Sequence, residues 1–419
     1  MSEVENPFED FLNWQENLTF NEVSINSHSF RDVEAKLSYD HDMRFVAGFS
    51  LREAGFQLLS SNDYSNDFFK KGDVEFGVLQ RSLRLTNLHD AKFEFIPKQS
   101  PAVILREGEA HRFTFNVANG PAFDLGAFSF TYETGLHEIT FNSHDIKAEV
   151  RKLAKQKNTN LITGTIEVSN VDSTPINFTD AFNAACNLQR FLTFAGGTQP
   201  GIGHAEGFNT SRRVCFAPGY NRRDPLHSHT NWFGISQIRE TEKVNGCFQT
   251  ALKGESSEIL KRCLEFYRAS TAVRSSSLEL AIVSSSAALE VIVPYILSTR
   301  AKMDANLLGE RIPFHSKVRA CFGVVGLESD PLEMSQELQK KQASLNNVDA
   351  FELSSMFRNR IVHQGKNFDV NGRELIEVWD LQMWMIEILF FFLINYRGTM
   401  QDRRPTTGWA GGATTIPLL

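Results

Sequence analysis

The rhythm of hydrophobic and polar positions changes about half-way along the chain. Between residues 18 and 170 the apolar residues fall in short or alternating runs, at 45–51, 74–79, 93–96, 102–105, 112–117, 127–132, 138–141 and 161–168. Gly, Asn, Asp and Pro separate the runs. Alternation with period two, broken by turn residues, predicts an antiparallel β-sandwich or barrel-like domain. Residues 144–156 fit one short helix inserted in it. Beyond residue 250 the spacing lengthens to three and four. Ile259, Leu260, Cys263, Leu264 and Tyr267 mark a helix over 256–274, and Leu280, Ala281, Ala287, Leu289 and Ile292 another over 277–297. Shorter helices are predicted at 314–322 and 331–345. Two more follow at 349–364 and 371–397, with Gly365 suited to stop the first and Asn371 to cap the second. Antiparallel helices joined by short loops make a bundle. The expected fold class is therefore α+β, a β-rich N-terminal domain followed by a helical bundle.

A middle segment joins the two patterns. Residues 179–195 read as a helix through Phe182, Cys186, Leu188, Phe191 and Leu192, with Gly196 and Gly197 as its stop. Residues 196–235 are rich in Gly, Arg and His and read as loops and strands. The tail from Gly398 carries four Gly and two Pro, a composition that predicts mobility. The expected divisions are 1–175 for the β-rich recognition or sensor domain, 176–250 for the connecting region, 251–397 for the bundle and 398–419 for the tail.

Composition narrows the function classes. A chain of 419 residues with 42% hydrophobic and 22% charged residues is globular over most of its length. A net charge of −7 argues against a broadly basic nucleic-acid-binding surface and leaves room for a local basic cleft. Five scattered cysteines without a C-x-x-C read as reduced thiols of a cytoplasmic protein, neither a disulfide framework nor a zinc site. The acidic start reads as no signal peptide. The most apolar run, residues 384–394, contains Glu387 and falls short of the roughly 20 residues a bilayer requires, so no membrane partner is expected. No phosphate-binding loop, nucleophile elbow or zinc-protease motif occurs, and Gly201-Ile-Gly203 lacks the third glycine of a dinucleotide fingerprint.

The candidate chemistry lies in Met356-Phe-Arg-Asn-Arg-Ile-Val-His-Gln-Gly365. Cleaving RNA at the ribose 2′-OH needs a group that moves a proton near neutral pH, as His363 can. It also needs a fixed positive fork on the phosphate, which Arg358 can supply. Asn359 could orient either. Asn359 and His363 are four apart, so on a helix they would share a face, and Arg358 is long enough to curl towards it. The bland alternative is a surface Arg with a His near a helix C-terminus, where positive charge is favoured anyway. Glu290, alone in the apolar run Ala287-Ala-Leu-Glu-Val-Ile292, could pair with Arg358 or Arg360 and orient the site, or form a structural ion pair.

Ala287-Ala-Leu-Glu290 followed by Phe357-Arg-Asn-Arg-Ile-Val-His-Gln-Gly365 resembles the HEPN superfamily of helical bundles. The layout, a β-rich region before such a bundle, resembles its ApeA-type effectors. That resemblance implies a metal-independent endoribonuclease without a cofactor. It implies a homodimer with the Arg and His of both protomers at one cleft, and a toxin or antiphage role. The implied partners are RNA, tRNA among the candidates, and an unknown phage or cellular trigger. Many HEPN domains are instead non-catalytic binding modules.

Two weaker signals complete the reading. Arg212, Arg213, Arg222 and Arg223 flank Phe216 and Tyr220, and basic residues interleaved with aromatics can hold single-stranded RNA. A solvated loop is the alternative. His227 and His229 could face one side of a strand as metal ligands do, but no Cys or carboxylate stands at ligand spacing, and no metal site is expected.

Overall fold

The computed structural model describes residues 14–25, 28–39, 44–51, 67–85, 91–121, 127–144, 161–225, 232–304, 306, 308–309, 312–326, 331–363, 369–404 and 413–416. The chain is α+β and divides into two compact units. The first comprises Met1–Gly120, Gly126–Gln189 and Pro200–Leu226, and the second Pro121–Leu125, Arg190–Gln199 and His227–Leu419.

The first unit holds a closed antiparallel barrel and an open sheet. The barrel strands are β1 (Gln15–Ile25), β2 (His28–Tyr39), β3 (Phe45–Leu51), β4 (Phe68–Lys71), β5 (Val74–Leu85) and β6 (Ala91–Pro97), in the order β1-β2-β3-β6-β5-β4. Its interior is filled by Phe20, Val23, Ala35, Leu37, Phe69 and Phe95, with the rings of Phe49 and Phe95 stacked 5.4 Å apart. Burial in β1 alternates at Leu18 and Phe20, then changes phase to Val23 and Ile25. Asp32, which lies opposite the phase change, adopts a left-handed φ of 53°, a conformation Asp tolerates better than most residues. That break hides β1 and β2 from a search for strict alternation.

The second sheet has seven strands in the order β7-β13-β12-β8-β11-β10-β9, where β7 is Leu105–Arg106, β8 Arg112–Ala118, β9 Phe128–Glu133, β10 His137–Ser143, β11 Ile162–Asn170, β12 Gly201–Asn209 and β13 Arg212–Tyr220. Phe113 and Phe115 face Phe178 and Phe182 at the start of helix α1 (Phe178–Gly196). The segment expected to be a connecting region thus supplies two strands, and the units part after Leu226 rather than near residue 175. A Cβ on Gly203 would collide with the Gly219 carbonyl of the neighbouring strand, so its glycine serves strand approach. Only Leu105 of the run at 102–105 enters a strand. The helix expected at 144–156 lies outside the described residues beyond His144.

The second unit is helical. After a short 3-10 turn at Ile235–Glu240 come α2 (Thr241–Lys253), α3 (Ser257–Val273), α4 (Leu278–Thr299), α5 (Phe314–Val325), α6 (Gln336–Ser344), α7 (Ala350–Val362) and α8 (Gly372–Leu393). Local caps set the last two. Asp349 accepts from the Glu352 N–H at 2.8 Å to start α7. Asn371 accepts from Glu374 while the Glu374 carboxylate takes the Asn371 N–H, a reciprocal box that starts α8. Phe194 stacks on Phe390 at 4.4 Å and packs beside Trp232 and Phe248, so aromatic burial dominates this core. By length and mean hydropathy of 1.9, α4 could cross a membrane; 56% of that window is buried, as in the core helix of a bundle.

The segment after Gly398 departs from the expected mobility. Thr399–Gln401 (β14) and Ala413–Thr415 (β15) pair as a two-stranded sheet. Between them Arg403 sends its guanidinium into the core, where Nη2 meets Glu387 Oε1 at 2.8 Å. Tyr267 donates to the same oxygen at 2.7 Å. Composition suggested a loose tail because it cannot register the buried carboxylate that anchors this one.

Candidate functional site

Four helices of the second unit converge on a cavity of about 250 Å³. Glu290 enters from α4, His315 from the first turn of α5, Arg358 and Asn359 from α7, and Gln382 from α8. Leu289, Phe314, Val318, Phe351 and Met385 supply apolar wall. Phe322 stands between Phe351 and Trp384, at ring distances of 5.3 and 6.0 Å, and packs α5 against α7 and α8.

The helices are held in register by one buried amide. Gln382 accepts from Ser285 at 2.5 Å and donates to Ser286 at 3.1 Å and Ser354 at 2.9 Å. All four residues are buried, so each lost bond would leave a desolvated polar group. This network ties α4, which carries Glu290, to α7, which carries Arg358. Arg319 of α5 pairs with the capping Asp349 of α7 and fixes a further edge.

Within the cavity Arg358 Nη2 lies 3.3 Å from Glu290 Oε1, and Nη1 donates to Asn359 Oδ1 at 3.3 Å. Of the two partners the sequence offered Glu290, Arg358 is the one it meets. The guanidinium is partly exposed, at 31% of its side-chain area, which leaves it reachable by an anion. These three predicted residues are brought together. His363 is placed differently from expectation. α7 ends at Val362, and His363 has φ −120° and ψ 119°, with its N–H bonded to the Asn359 carbonyl at 2.9 Å. It is exposed and is not among the residues lining the cavity. The shared helical face assumed for Asn359 and His363 requires one more helical residue than α7 has.

His315 and the Gln382 network went unnoticed in the sequence. His315 follows Pro313-Phe314 at a helix start and belongs to no local motif; only packing brings it to the cavity that Arg358 lines. Gln382 was detectable in principle, as an amide in the apolar run of α8 matched by Ser285 and Ser286 in α4.

The basic stretch of β13 is largely met by carboxylates. Arg213 lies 2.5 Å from Glu16 and 3.0 Å from Glu206, with its guanidinium 4.7 Å from the Phe216 ring. Arg212 lies 3.1 Å from Glu107. Arg223 stands 6.0 Å from the Tyr220 ring, and Arg222 has partners of its own. His227 and His229 lie outside the described residues. Among those that are described, no three His, Cys, Asp or Glu converge as a metal-ligand set.

Residues 253–413 match a family model described as the YopA C-terminal domain. The match covers α3 to α8 with Glu290, His315, Arg358 and His363, and it runs on past Gly398 into β15. The tail therefore travels with the helical unit in that likeness too. The family's description states no activity. No curated protein and no solved structure matches the chain.

Proposed function

We propose that the helical unit is a HEPN-type bundle acting as a metal-independent endoribonuclease, in a cytoplasmic toxin or antiphage-defence effector. The observation that carries this reading is the meeting in one cavity of Glu290 from α4 with Arg358 and Asn359 from α7, the helix that leads to His363. Arg358 stabilises the phosphorane that forms when the ribose 2′-oxygen attacks phosphorus. His363 moves a proton at the 2′-oxygen or at the departing 5′-oxygen. Glu290 and Asn359 hold the guanidinium fork in place. Products are a 2′,3′-cyclic phosphate and a 5′-hydroxyl. Apolar walls around a space this small suit one unstacked base rather than a duplex, so the substrate is single-stranded or looped RNA. The bundle works as a homodimer, and the β-rich unit recognises a signal or target.

A second reading has its own support: a non-catalytic RNA- or protein-binding module. Arg358 is already engaged by a carboxylate, and His363 stands outside the cavity lining. Incubating the purified protein with total RNA in EDTA, followed by end-group analysis of the fragments, separates the two. Cyclic-phosphate and 5′-hydroxyl ends support the nuclease. Bound but intact RNA supports the module.

A further inference from the structure

Cleavage through a cyclic phosphate uses two proton transfers. One group removes the 2′-OH proton as the O2′–P bond forms, and another protonates the 5′-oxygen as the P–O5′ bond breaks. The motif supplies one histidine per protomer, so within a single protomer the second transfer has no motif residue. Among the described residues of the helical unit there are two histidines, His315 and His363. His315 lines the cavity together with Arg358 and Asn359 and is partly exposed, and its imidazole makes no hydrogen bond to any described residue. An imidazole with both nitrogens unengaged by the described residues, in the cavity that Arg358 lines, is placed to exchange a proton with a phosphodiester held there.

We propose that His315 is the second proton-transfer residue of this site, the complement of His363. This rests on the nuclease reading and deepens it. In the forward step one imidazole takes the 2′-OH proton and becomes cationic. The other, cationic at the start, gives its proton to the 5′-oxygen and becomes neutral. The pair therefore ends with its charges exchanged, and solvent restores the starting state. Phosphorus keeps four oxygens, and no redox partner is needed.

The test uses the full chain and an oligoribonucleotide spanning a cleavage site mapped on total RNA. His315→Ala and His315→Gln should each slow cleavage by about 10²–10⁴. Binding of the same oligonucleotide with a 2′-deoxy residue at the site should stay unchanged. Cleavage by the wild type should depend on pH through a bell, and the His315 variants should lose one limb while His363→Ala loses the other. A substrate with sulfur in place of the bridging 5′-oxygen has a leaving group that departs without a proton. It should restore the rate of one histidine variant and not of the other. Wild-type activity lost in Arg358→Ala but retained in both His315 variants, with both limbs of the bell intact, overturns the assignment and leaves the nuclease reading standing. A loss confined to oligonucleotide binding also overturns it. A wild type that cleaves no RNA overturns both.

Discussion

Two Arg–Glu pairs of the helical unit do opposite things. Arg358 and Glu290 meet at 3.3 Å with 31% and 46% of their side-chain area exposed; Arg403 and Glu387 meet at 2.8 Å with 1% and 0%. The first pair lines a cavity and its ions keep much of their hydration. Such a pair contributes on the order of 1 kcal/mol or less to folding and can exchange its carboxylate for a phosphate. The second pair is sealed by Tyr267 and Trp379, and neither Arg403 Nε nor Nη1 has a hydrogen-bond partner among the described residues. An ion so placed tolerates no loss of its partner. Identical chemistry thus lines an open cavity in one place and anchors the tail in the other, and burial separates the two.

Breaking the buried pair gives the largest effect. Arg403→Ala or Glu387→Ala should cost about 3–5 kcal/mol, read as a lowered denaturation midpoint, because each leaves an uncompensated buried charge. Ending the full-length chain after Arg397 should act in the same direction. A midpoint unchanged in all three would show that the tail is not an anchor.

The same pair should make stability depend on pH. Burial pushes the Glu387 carboxyl up to about 7, against the opposing pull of Arg403, and burial lifts Asp380 to about 6. A carboxyl raised in the folded state stabilises the fold fully below its unfolded value and loses that contribution as pH rises through the folded value. Stability should therefore decline from about pH 4.5 to about pH 7, by up to roughly 3 kcal/mol for Glu387. Glu387→Gln should flatten about half of that slope, the remainder belonging to Asp380. A wild-type slope preserved in the variant would move its origin to another group.

At the exposed pair the expected change is in activity. Glu290→Gln should leave the denaturation midpoint within about 1 kcal/mol of wild type. It should slow cleavage by about tenfold to a hundredfold, because the guanidinium loses its rest against α4. A variant that unfolds easily would make Glu290 a structural partner like Glu387, and the contrast between the pairs would disappear.

The smallest effect belongs to the arginines of β13 and of the segment that follows it. Replacing Arg212, Arg213, Arg222 and Arg223 by Ala should change the salt slope of RNA binding by less than one phosphate contact, since Glu16, Glu107 and Glu206 already face two of them. A drop of three or four contacts would restore this strand to the RNA path.

What the sequence disclosed follows the range of the interactions involved. Helices α7 and α8 were legible because their caps, Asp349 and Asn371, act within four residues. The motif of Arg358 and Asn359 was legible for the same reason, and its pairing with Glu290 could be anticipated because a carboxylate in an apolar helix wants a cation. Strands were expected within 196–235, but the Gly, Arg and His content there hid the bounds of β12 and β13 and their place in the seven-stranded sheet, and β1 was hidden by its change of phase. His315 in the cavity lined by Arg358, and Arg403 reaching Glu387, are products of tertiary packing. Neither has a local signature to read.

The most direct measurement of the central claim is cleavage of total RNA in EDTA by the wild type beside Arg358→Ala and His363→Ala, with circular dichroism confirming that all three fold. The account predicts 2′,3′-cyclic phosphate and 5′-hydroxyl ends from the wild type and a loss of about 10²–10⁴ in rate for each variant. Equal cleavage by wild type and either variant, or intact RNA throughout, would contradict it.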